Sequence, residues 1–383
     1  MRLWPRRPPP DAPPSWDELL PLEALLRAQV DDVLAIEQRQ LWGRSIAFGG
    51  RLRVPASTAV GLLRDRLEAQ GYTPFLRQDR GTTWVHALPR ADVAGRPNPW
   101  INLGLFLATV LTTLLAGALS FGDVPFGELL VRPTRLLAGL PFSASLLAIL
   151  VVHELGHYTL GRRHGMSITL PYFIPVPPPF LVGTLGAFIR LRGPVRDRRA
   201  LFDMAVAGPL AGLVLAIPLY ALGLRLSTVV RLPGEAVEGG TFLQFGDAIL
   251  PKLIEWLVLG PLPPGYDVLL HPVGVAAWFG FFVTVLNLVP AGQLDGGHLV
   301  YALFGRWHSL ISKLAVGALL GLGVVVGSPT WLIWPALIVA LMGFQHGPPM
   351  DDVTPLDLKR RALGLFALAL VIVLLPPVPL AVR

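Results

Sequence analysis

The stretch VVHELGHYTL, residues 151–160, places two histidines and a glutamate in a segment that is otherwise apolar. Residues 144–152, which lead into it, carry no charged side chain. An ionisable group at the centre of a membrane helix costs roughly 2.5–3.5 kcal/mol on insertion scales. His153, Glu154 and His157 therefore require a function that offsets this cost.

Composition indicates a membrane protein. The chain has 383 residues, of which 53% are hydrophobic and 15% charged, whereas about a quarter of the residues in a soluble domain are charged. It has no cysteine, which excludes disulfides and thiolate metal sites. The formal net charge of +7 comes mainly from arginine. In such a chain this excess favours cytoplasmic loops over nucleic-acid binding, and no nucleic-acid motif is present.

Several uncharged stretches are long enough to cross a bilayer, which takes about 20 residues. They predict a polytopic α-helical membrane protein with about seven transmembrane helices. Besides the segment that holds the opening motif, the stretches are 101–121, 204–224, 272–294, the two parts of 314–350 on either side of Gly327–Pro329, and 362–382.

The chain before the first apolar stretch has a different pattern. Residues 1–14 lack the apolar centre of a signal peptide. We expect them to be a disordered proline-rich tail. Residues 15–92 predict a soluble α+β domain, a helix followed by βαββ, from helical spacing and strand alternation. This domain has no catalytic cluster, so we expect it to regulate or dock, with a protein partner. Residues 93–100 form the expected linker.

Arginine placement predicts the orientation. Seven arginines lie between residues 162 and 199. The positive-inside rule therefore places this region in the cytoplasm. Counting spans from it puts the amino-terminal domain and residues 295–313 on the same side. The expected location is the cell membrane of a prokaryote, with the active-site side facing the cytoplasm.

The opening motif has the spacing of a metal site. His153 and His157 are four residues apart, so a helix places them on nearly one face, where both can bind one Zn²⁺. Glu154 projects to the same side and can accept a proton from water. The pattern HExxH also arises by chance on soluble helices, but the apolar setting favours the metal interpretation.

A hydrolytic zinc site needs a third protein ligand. The candidate is Asp295 in NLVPAGQLDGGHL, residues 287–299, which ends the fourth predicted span. Gly296 and Gly297 after it allow a close backbone approach or a break in the helix. A helix-capping role for Asp295 is the alternative, and His298 is the rival ligand. The histidines at other span ends are expected to be interfacial; they are His164, His271, His308 and His346.

Three motifs together resemble the site-2 protease family of intramembrane zinc metalloproteases. They are HELGH, the later NLVPAGQLDGG, and AGPLAG in the span between, whose Gly208, Ala211 and Gly212 also predict close helix packing. The resemblance covers about residues 100–346. It is nearest to the prokaryotic and plastid branch, which carries an amino-terminal soluble domain and no PDZ domain.

The resemblance implies a function and a set of roles. His153, His157 and Asp295 would bind one zinc ion per chain, and Glu154 would be the general base and acid. Asn287 would hold the substrate or the oxyanion. Residues 101–383 would form a transmembrane metalloprotease domain that cleaves transmembrane segments of membrane-anchored proteins.

A proline-rich segment follows the motif helix. Residues 171–193, PYFIPVPPPFLVGTLGAFIRLRG, cannot be helical at their start, and residues 183–191 are typical of a strand. We expect residues 168–193 to re-enter the membrane. Thr184, Leu185 and Gly186 would then bind unwound substrate as an added strand. An ordinary cytoplasmic hairpin is the alternative.

Two other functions are compatible with the sequence. Intramembrane histidine and acidic side chains also line the paths of metal-ion transporters, although no repeat of the spans is evident. A catalytically inactive membrane adaptor of the same fold is the second alternative, and the presence of Glu154 disfavours it.

Overall fold

The computed structural model of the chain describes residues 16–90, 98–122, 124–231 and 243–382. Helices predominate in these ranges, and the amino-terminal part is a small α+β region, as expected from the sequence. The expected proline-rich tail, residues 1–14, lies outside the described residues. Most of the expected linker does too, and the helix that follows already begins at Pro99.

The amino-terminal module packs two helices against one antiparallel sheet. Its elements are α1 (Trp16–Ala28), β1 (Leu34–Trp42), β2 (Ser45–Leu52), α2 (Ala56–Ala69), β3 (Tyr72–Asp79) and β4 (Thr82–Pro89). The strand order is β1-β2-β4-β3. The apolar residues of α2 at helical spacing are all buried in the module core, as the amphipathic pattern predicts.

The module contains one strand more than the predicted βαββ. The additional strand is β1, which pairs with β2 along one edge of the sheet. Residues 37–40 in its middle are exposed. Because this edge strand faces solvent over most of its length, its sequence lacks the alternation of apolar and polar residues that identifies a half-buried strand.

The remaining chain forms ten α-helices, two short 3-10 helices (Pro133–Gly139 and Gly305–Trp307) and three two-stranded antiparallel sheets within the described residues. The helices are α3 (Pro99–Phe121), α4 (Phe126–Val131), α5 (Leu140–Arg163), α6 (Arg198–Leu226), α7 (Ile249–Leu259), α8 (Pro272–Leu288), α9 (Asp295–Phe304), α10 (His308–Val326), α11 (Pro329–Leu341) and α12 (Leu358–Leu374). The strands are β5 (Tyr172–Pro175), β6 (Thr184–Phe188), β7 (Thr228–Arg231), β8 (Leu243–Phe245), β9 (Tyr266–Leu269) and β10 (Leu380–Val382). They pair as β5–β6, β7–β9 and β8–β10.

Four helical segments of the described residues are long and apolar enough to cross a membrane: Pro99–Phe121, Pro133–Arg163, Arg198–Leu226 and Asp295–Val326. The expected number of about seven is not confirmed. Helices α8 and α11 are apolar but shorter. Helix α8 ends at Leu288, before Pro290, which has no backbone N–H to continue it.

The last predicted span, residues 362–382, is also shorter than expected. Its helix α12 ends at Leu374, and a proline-rich turn follows. Strand β10 then pairs with β8, which lies in the loop after α6. The apolar composition of this stretch therefore continues beyond the helix into a small sheet.

Helices α5, α6 and α8 form the centre of the membrane region, where their apolar side chains share one core. Glycine sets the closeness of α5 to α6. A Cβ at Gly156 would lie 2.6 Å from the Ala207 carbonyl oxygen, and one at Gly208 would overlap His157. The small residues of AGPLAG thus permit close packing, as predicted, and this packing is directly against the histidine motif.

The segment between α5 and α6 forms a hairpin that α3 holds in place. Strands β5 and β6 pair antiparallel. The buried Asn102 side chain donates to the carbonyl oxygens of Leu170 (3.0 Å) and Pro171 (2.9 Å), just before β5. Thr112 donates to the Gly183 carbonyl, 2.7 Å away, just before β6. Both strands of the hairpin are therefore anchored to the same membrane helix.

Candidate metal centre

The two histidines of the opening motif face each other across one turn of α5. His153 and His157 are 3% and 5% exposed, and their Nε2 atoms are 3.1 Å apart. Nitrogens at i and i+4 of a helix lie on one face, so both rings point to the same position between α5 and α6.

The backbone of α6 sets the orientation of His157. Its Nδ1 lies 2.8 Å from the Met204 carbonyl oxygen. Because a carbonyl only accepts, Nδ1 carries the proton, and Nε2 of the neutral ring is left free to bind a metal ion. Gly208, one turn further along α6, has no side chain to collide with this ring.

Asp295 completes the group from a distant part of the chain. One of its oxygens, Oδ2, lies 3.4 Å from His153 Nε2 and 3.2 Å from His157 Nε2. The sequence predicted Asp295 at the end of the fourth span. In the structure it is instead the first residue of α9, after a turn that separates α9 from α8. An acidic side chain at a helix amino terminus is favoured by the helix dipole.

The turn before Asp295 needs the two glycines that follow it. A Cβ at Gly296 would lie 1.9 Å from the Leu288 carbonyl oxygen, and one at Gly297 would lie 2.5 Å from that of Gly292. The start of α9 thus folds back onto the end of α8 at backbone contact. His308 at the start of α10 stabilises this turn, because its Nε2 lies 3.0 Å from the Gly292 carbonyl oxygen.

The three side chains are positioned to bind a metal ion. They form the only cluster of three or more potential ligands found within the described ranges. Zinc–nitrogen and zinc–oxygen bonds of about 2.0–2.1 Å in a tetrahedron place neighbouring ligand atoms about 3.3 Å apart. The observed separations of 3.1, 3.2 and 3.4 Å are close to this edge length. With three protein ligands, a tetrahedral ion keeps one position open.

Glu154 and Asn287 lie beside these ligands. The Glu154 side chain is buried, and its carboxylate interacts electrostatically with His153, His157 and Asp295. The Asn287 amide nitrogen, on α8, lies 3.4 Å from His153 Nε2. A buried carboxylate and an amide therefore border the cluster without belonging to it.

His298, the rival third ligand, is not part of the cluster. Its Nδ1 lies 2.6 Å from Nε2 of His346, whose Nδ1 bonds the Gly347 carbonyl. The His346 ring stacks on Tyr301. Burial holds the pKa of His346 well below its ordinary value, so this ring is neutral and its Nε2 accepts from His298.

The expectation that His308 is interfacial is wrong. Its side chain is buried, and it bonds the turn that carries Asp295. Its position in the sequence beside Trp307 and Arg306 gave no sign of this, because the contact joins α10 to a turn folded back against it. The only related feature of the sequence was a histidine just before an apolar stretch.

Of the three strand residues proposed to bind substrate, only Leu185 is exposed, whereas Thr184 and Gly186 are buried. Thr184 is buried, and its hydroxyl donates to the Ile174 carbonyl 2.9 Å away. Leu185 is 63% exposed, and Gly186 has a φ of +93° that other residues rarely adopt. Strand β6 pairs with β5 on one edge, and no other described strand pairs with its second edge.

Fold and site together define a helical membrane protein with a buried metal-binding group of two histidines and one aspartate. Residues 141–326 match the model of Peptidase family M50. This match to the site-2 proteases covers just under half of the chain and agrees with the resemblance seen in the motifs.

The chain is similar to plant proteins. It is 34% identical over 242 residues to "Probable zinc metalloprotease EGY1, chloroplastic" of Arabidopsis thaliana, which covers 63% of this chain and 43% of that protein. It is 29% identical over 377 residues to "Probable zinc metalloprotease EGY2, chloroplastic" of the same species, which covers 94% of this chain and 66% of that protein. The chain thus spans between 43% and 66% of the length of these curated relatives. No solved structure matches it.

These relatives bear on the expected location. Both are named as chloroplastic, which does not fit the expected cell membrane of a prokaryote. The apolar helices agree with the coarser prediction of an integral membrane protein. The sidedness drawn from arginine placement stays a prediction.

Proposed function

We propose that this protein is an intramembrane zinc metalloprotease that cleaves transmembrane segments of membrane-anchored proteins. The observation that carries the proposal is the group of His153, His157 and Asp295, at metal-binding distances between apolar helices. The M50 domain and the names of the relatives support the choice of zinc and of proteolysis. Neither a metal-ion transporter nor an inactive adaptor has an observation in its favour.

The side chains around the cluster suit peptide hydrolysis. A zinc ion held there supplies Lewis acidity, which polarises a carbonyl and makes water nucleophilic near neutral pH. Glu154 accepts the proton of the attacking water and returns it to the nitrogen of the leaving amine, so that one carboxylic acid and one amine form. Asn287 donates its amide N–H to the oxygen on which negative charge develops.

Substrate binding is assigned to the free edge of β6. A transmembrane helix hides its peptide bonds in its own hydrogen bonds, so it must unwind before it can be cleaved. An unwound segment can regain those bonds as a strand added to Thr184, Leu185 and Gly186. The contact of the hairpin with α5 and its anchoring by α3 support this assignment.

The orientation belongs to the proposal as well. The arginine-rich region 162–199 lies on the cytoplasmic side, together with the amino-terminal module. This module binds a protein partner there. Reporter fusions test this. One placed after Arg199 should register as cytoplasmic, and one near Glu238 as extracytoplasmic. The reverse result would show that the orientation is wrong.

Glu154→Gln in the full-length chain tests the proposed activity. The amide keeps the size of the side chain but cannot accept the proton. Metal content should therefore stay normal, while cleavage of a model transmembrane substrate falls by about 10²–10⁴-fold. Glu128→Gln is the matched control, because Glu128, on the short helix α4, pairs with Arg135 of the 3-10 helix that follows and is not part of the metal-binding cluster.

The same comparison separates the alternatives. A transporter would move metal ions into vesicles with or without Glu154, and an adaptor would show no cleavage even in the wild type. Full cleavage by Glu154→Gln would refute the proton-transfer role. Loss of metal from this variant would instead show that Glu154 is itself a metal ligand.

A further inference from the structure

A short segment between α11 and α12 joins the amino-terminal module to the membrane helices. We define it as the strap, residues 347–355. Its backbone pairs with strand β3 of the module on one side, where Leu76 donates to the Met350 carbonyl (2.7 Å) and Asp352 donates to that of Leu76 (3.1 Å). On the other side, Met350 and Asp351 donate to the carbonyls of Val195 and Arg196, just before α6. The strap is thus held from both sides.

Side chains reinforce this placement. Met350 is 2% exposed and belongs to the hydrophobic core of the module, where it packs with residues of α2 and β3. Asp351 accepts from the backbone of Val353 and Thr354 and from the Thr354 hydroxyl. The backbone on both sides of the next residue, Asp352, is therefore fixed.

Asp352 joins α6, whose backbone orients His157, to α9, which carries Asp295. Its Oδ1 accepts from Arg198 Nε at 2.8 Å, and its Oδ2 accepts from the Tyr301 hydroxyl at 3.0 Å. The side chain is 10% exposed, so both bonds are shielded from water and are strengthened by its charge. Arg77 of the module lies at 4.0 Å and is half exposed, which makes it a weaker third partner.

Each of the two main partners lies on a helix that orients or carries a metal-binding side chain. Arg198 is the first residue of α6, and the carbonyl that orients His157 is that of Met204, six residues further on. Tyr301 is on α9, six residues after Asp295. At about 1.5 Å per residue, each connection is roughly 9 Å of helix. A movement of α9 relative to α6 near the strap would therefore displace Asp295 from His157.

We propose that Asp352 is a positioning residue, which sets α9 against α6 and thereby holds Asp295 at metal-binding distance from His157. The inference rests on the proposed function in one respect, namely that the cluster binds zinc. Asp352 touches neither the ligands nor a substrate, and it acts through the two helices. The site thus depends on a strap whose own position is fixed by the amino-terminal module.

The test measures zinc affinity in the full-length protein in detergent, by competition with a chelator. Asp352→Ala removes both bonds, and Tyr301→Phe removes only the hydroxyl bond while keeping the ring on His346. Both should weaken zinc binding by about tenfold, the lower end of the effect of losing an outer partner of a metal ligand. Asp352→Asn can still accept from Arg198 and donate to Tyr301, and it should recover part of the affinity.

Asp357→Ala is the matched control. Asp357 caps α12 and pairs with Arg360, so its loss removes a helix cap and an ion pair close to the strap, while Arg360 keeps its bonds to Asp203 of α6 and no hydrogen bond to α9 is lost. Its zinc affinity should equal that of the wild type. Wild-type affinity in both Asp352→Ala and Tyr301→Phe would overturn the proposal, as would an equal loss in Asp357→Ala.

These outcomes are independent of the proposed activity. If the wild type binds zinc but cleaves no transmembrane substrate, the proposed protease function fails and the affinities still decide the role of Asp352. If the wild type cleaves and the Asp352 and Tyr301 variants bind zinc normally, only the positioning role fails. Should Asp352→Ala fail to fold, Tyr301→Phe provides the measurement alone.

Discussion

Gly208→Ala should abolish metal binding, because the new methyl group would occupy the place of a ligand. A Cβ at this position would lie 2.1 Å from His157 Nε2 and within 2.5 Å of two ring carbons. Real Cβ contacts are essentially never shorter than 3.0 Å, so the ring must move by at least 3.0 − 2.1 = 0.9 Å. Metal–ligand distances tolerate only about 0.2 Å.

The ring has little freedom to make this movement. The Met204 carbonyl binds its Nδ1, and the side chain is buried between α5 and α6. The alternative is for α6 to withdraw from α5, which overpacks the core at a cost of typically 1–3 kcal/mol. Either response separates His157 from Asp295.

Gly212→Ala is a matched control on the same helix. Its Cβ would lie 3.3 Å from His153 Nδ1, which is only about 0.1 Å (3.4 − 3.3) short of ordinary van der Waals contact and so within the tolerance of a metal–ligand distance. Gly208 also precedes Pro209, and a Cβ before proline disfavours helical backbone. The double variant Gly208→Ala/Pro209→Ala removes that second effect and should still lack metal.

The assay is zinc per chain in protein purified in detergent, with cleavage of a model transmembrane substrate beside it. We expect zinc to be lost from Gly208→Ala and from the double variant, and to be kept by Gly212→Ala. If Gly208→Ala holds a full complement of zinc with the affinity of Gly212→Ala, the contact between α6 and His157 does not limit the site and this reasoning is wrong.

Three further predictions concern the ligands, the turn and the hairpin. Asp295→Ala should lose zinc and activity while His298→Ala keeps its zinc; the opposite zinc contents would make His298 the third ligand. Gly296→Ala should also lose zinc, since its Cβ would lie 1.9 Å from the Leu288 carbonyl oxygen, and normal zinc content in this variant would refute the tight turn. Leu185→Pro should keep zinc but lower substrate cleavage, because proline cannot donate to an added strand. Leu185→Ala, which keeps the N–H, is its control, and equal cleavage by both would exclude pairing through this N–H.

Composition alone did not predict where two of the apolar helices end. Apolar length identified α3, α5 and α6 correctly, but it extended the span of α8 to Leu294 and that of α12 to Val382. Apolar residues suit a helix, a turn packed in protein and a small, partly buried sheet equally well. Proline was the signal for both helix ends, at Pro290 and after Leu374.

The sequence by itself determined the chemistry of this protein: the membrane setting, the histidine pair at helical spacing, the glutamate beside it and the candidate aspartate. These follow from local rules, because helix geometry places residues four apart on one face. Only the tertiary structure decided that Asp295 begins α9, that His308 stabilises its turn, and that Asp352 joins α6 to α9. Each of these contacts joins residues from different elements, and which elements meet depends on how the whole chain packs, which no spacing along the sequence records.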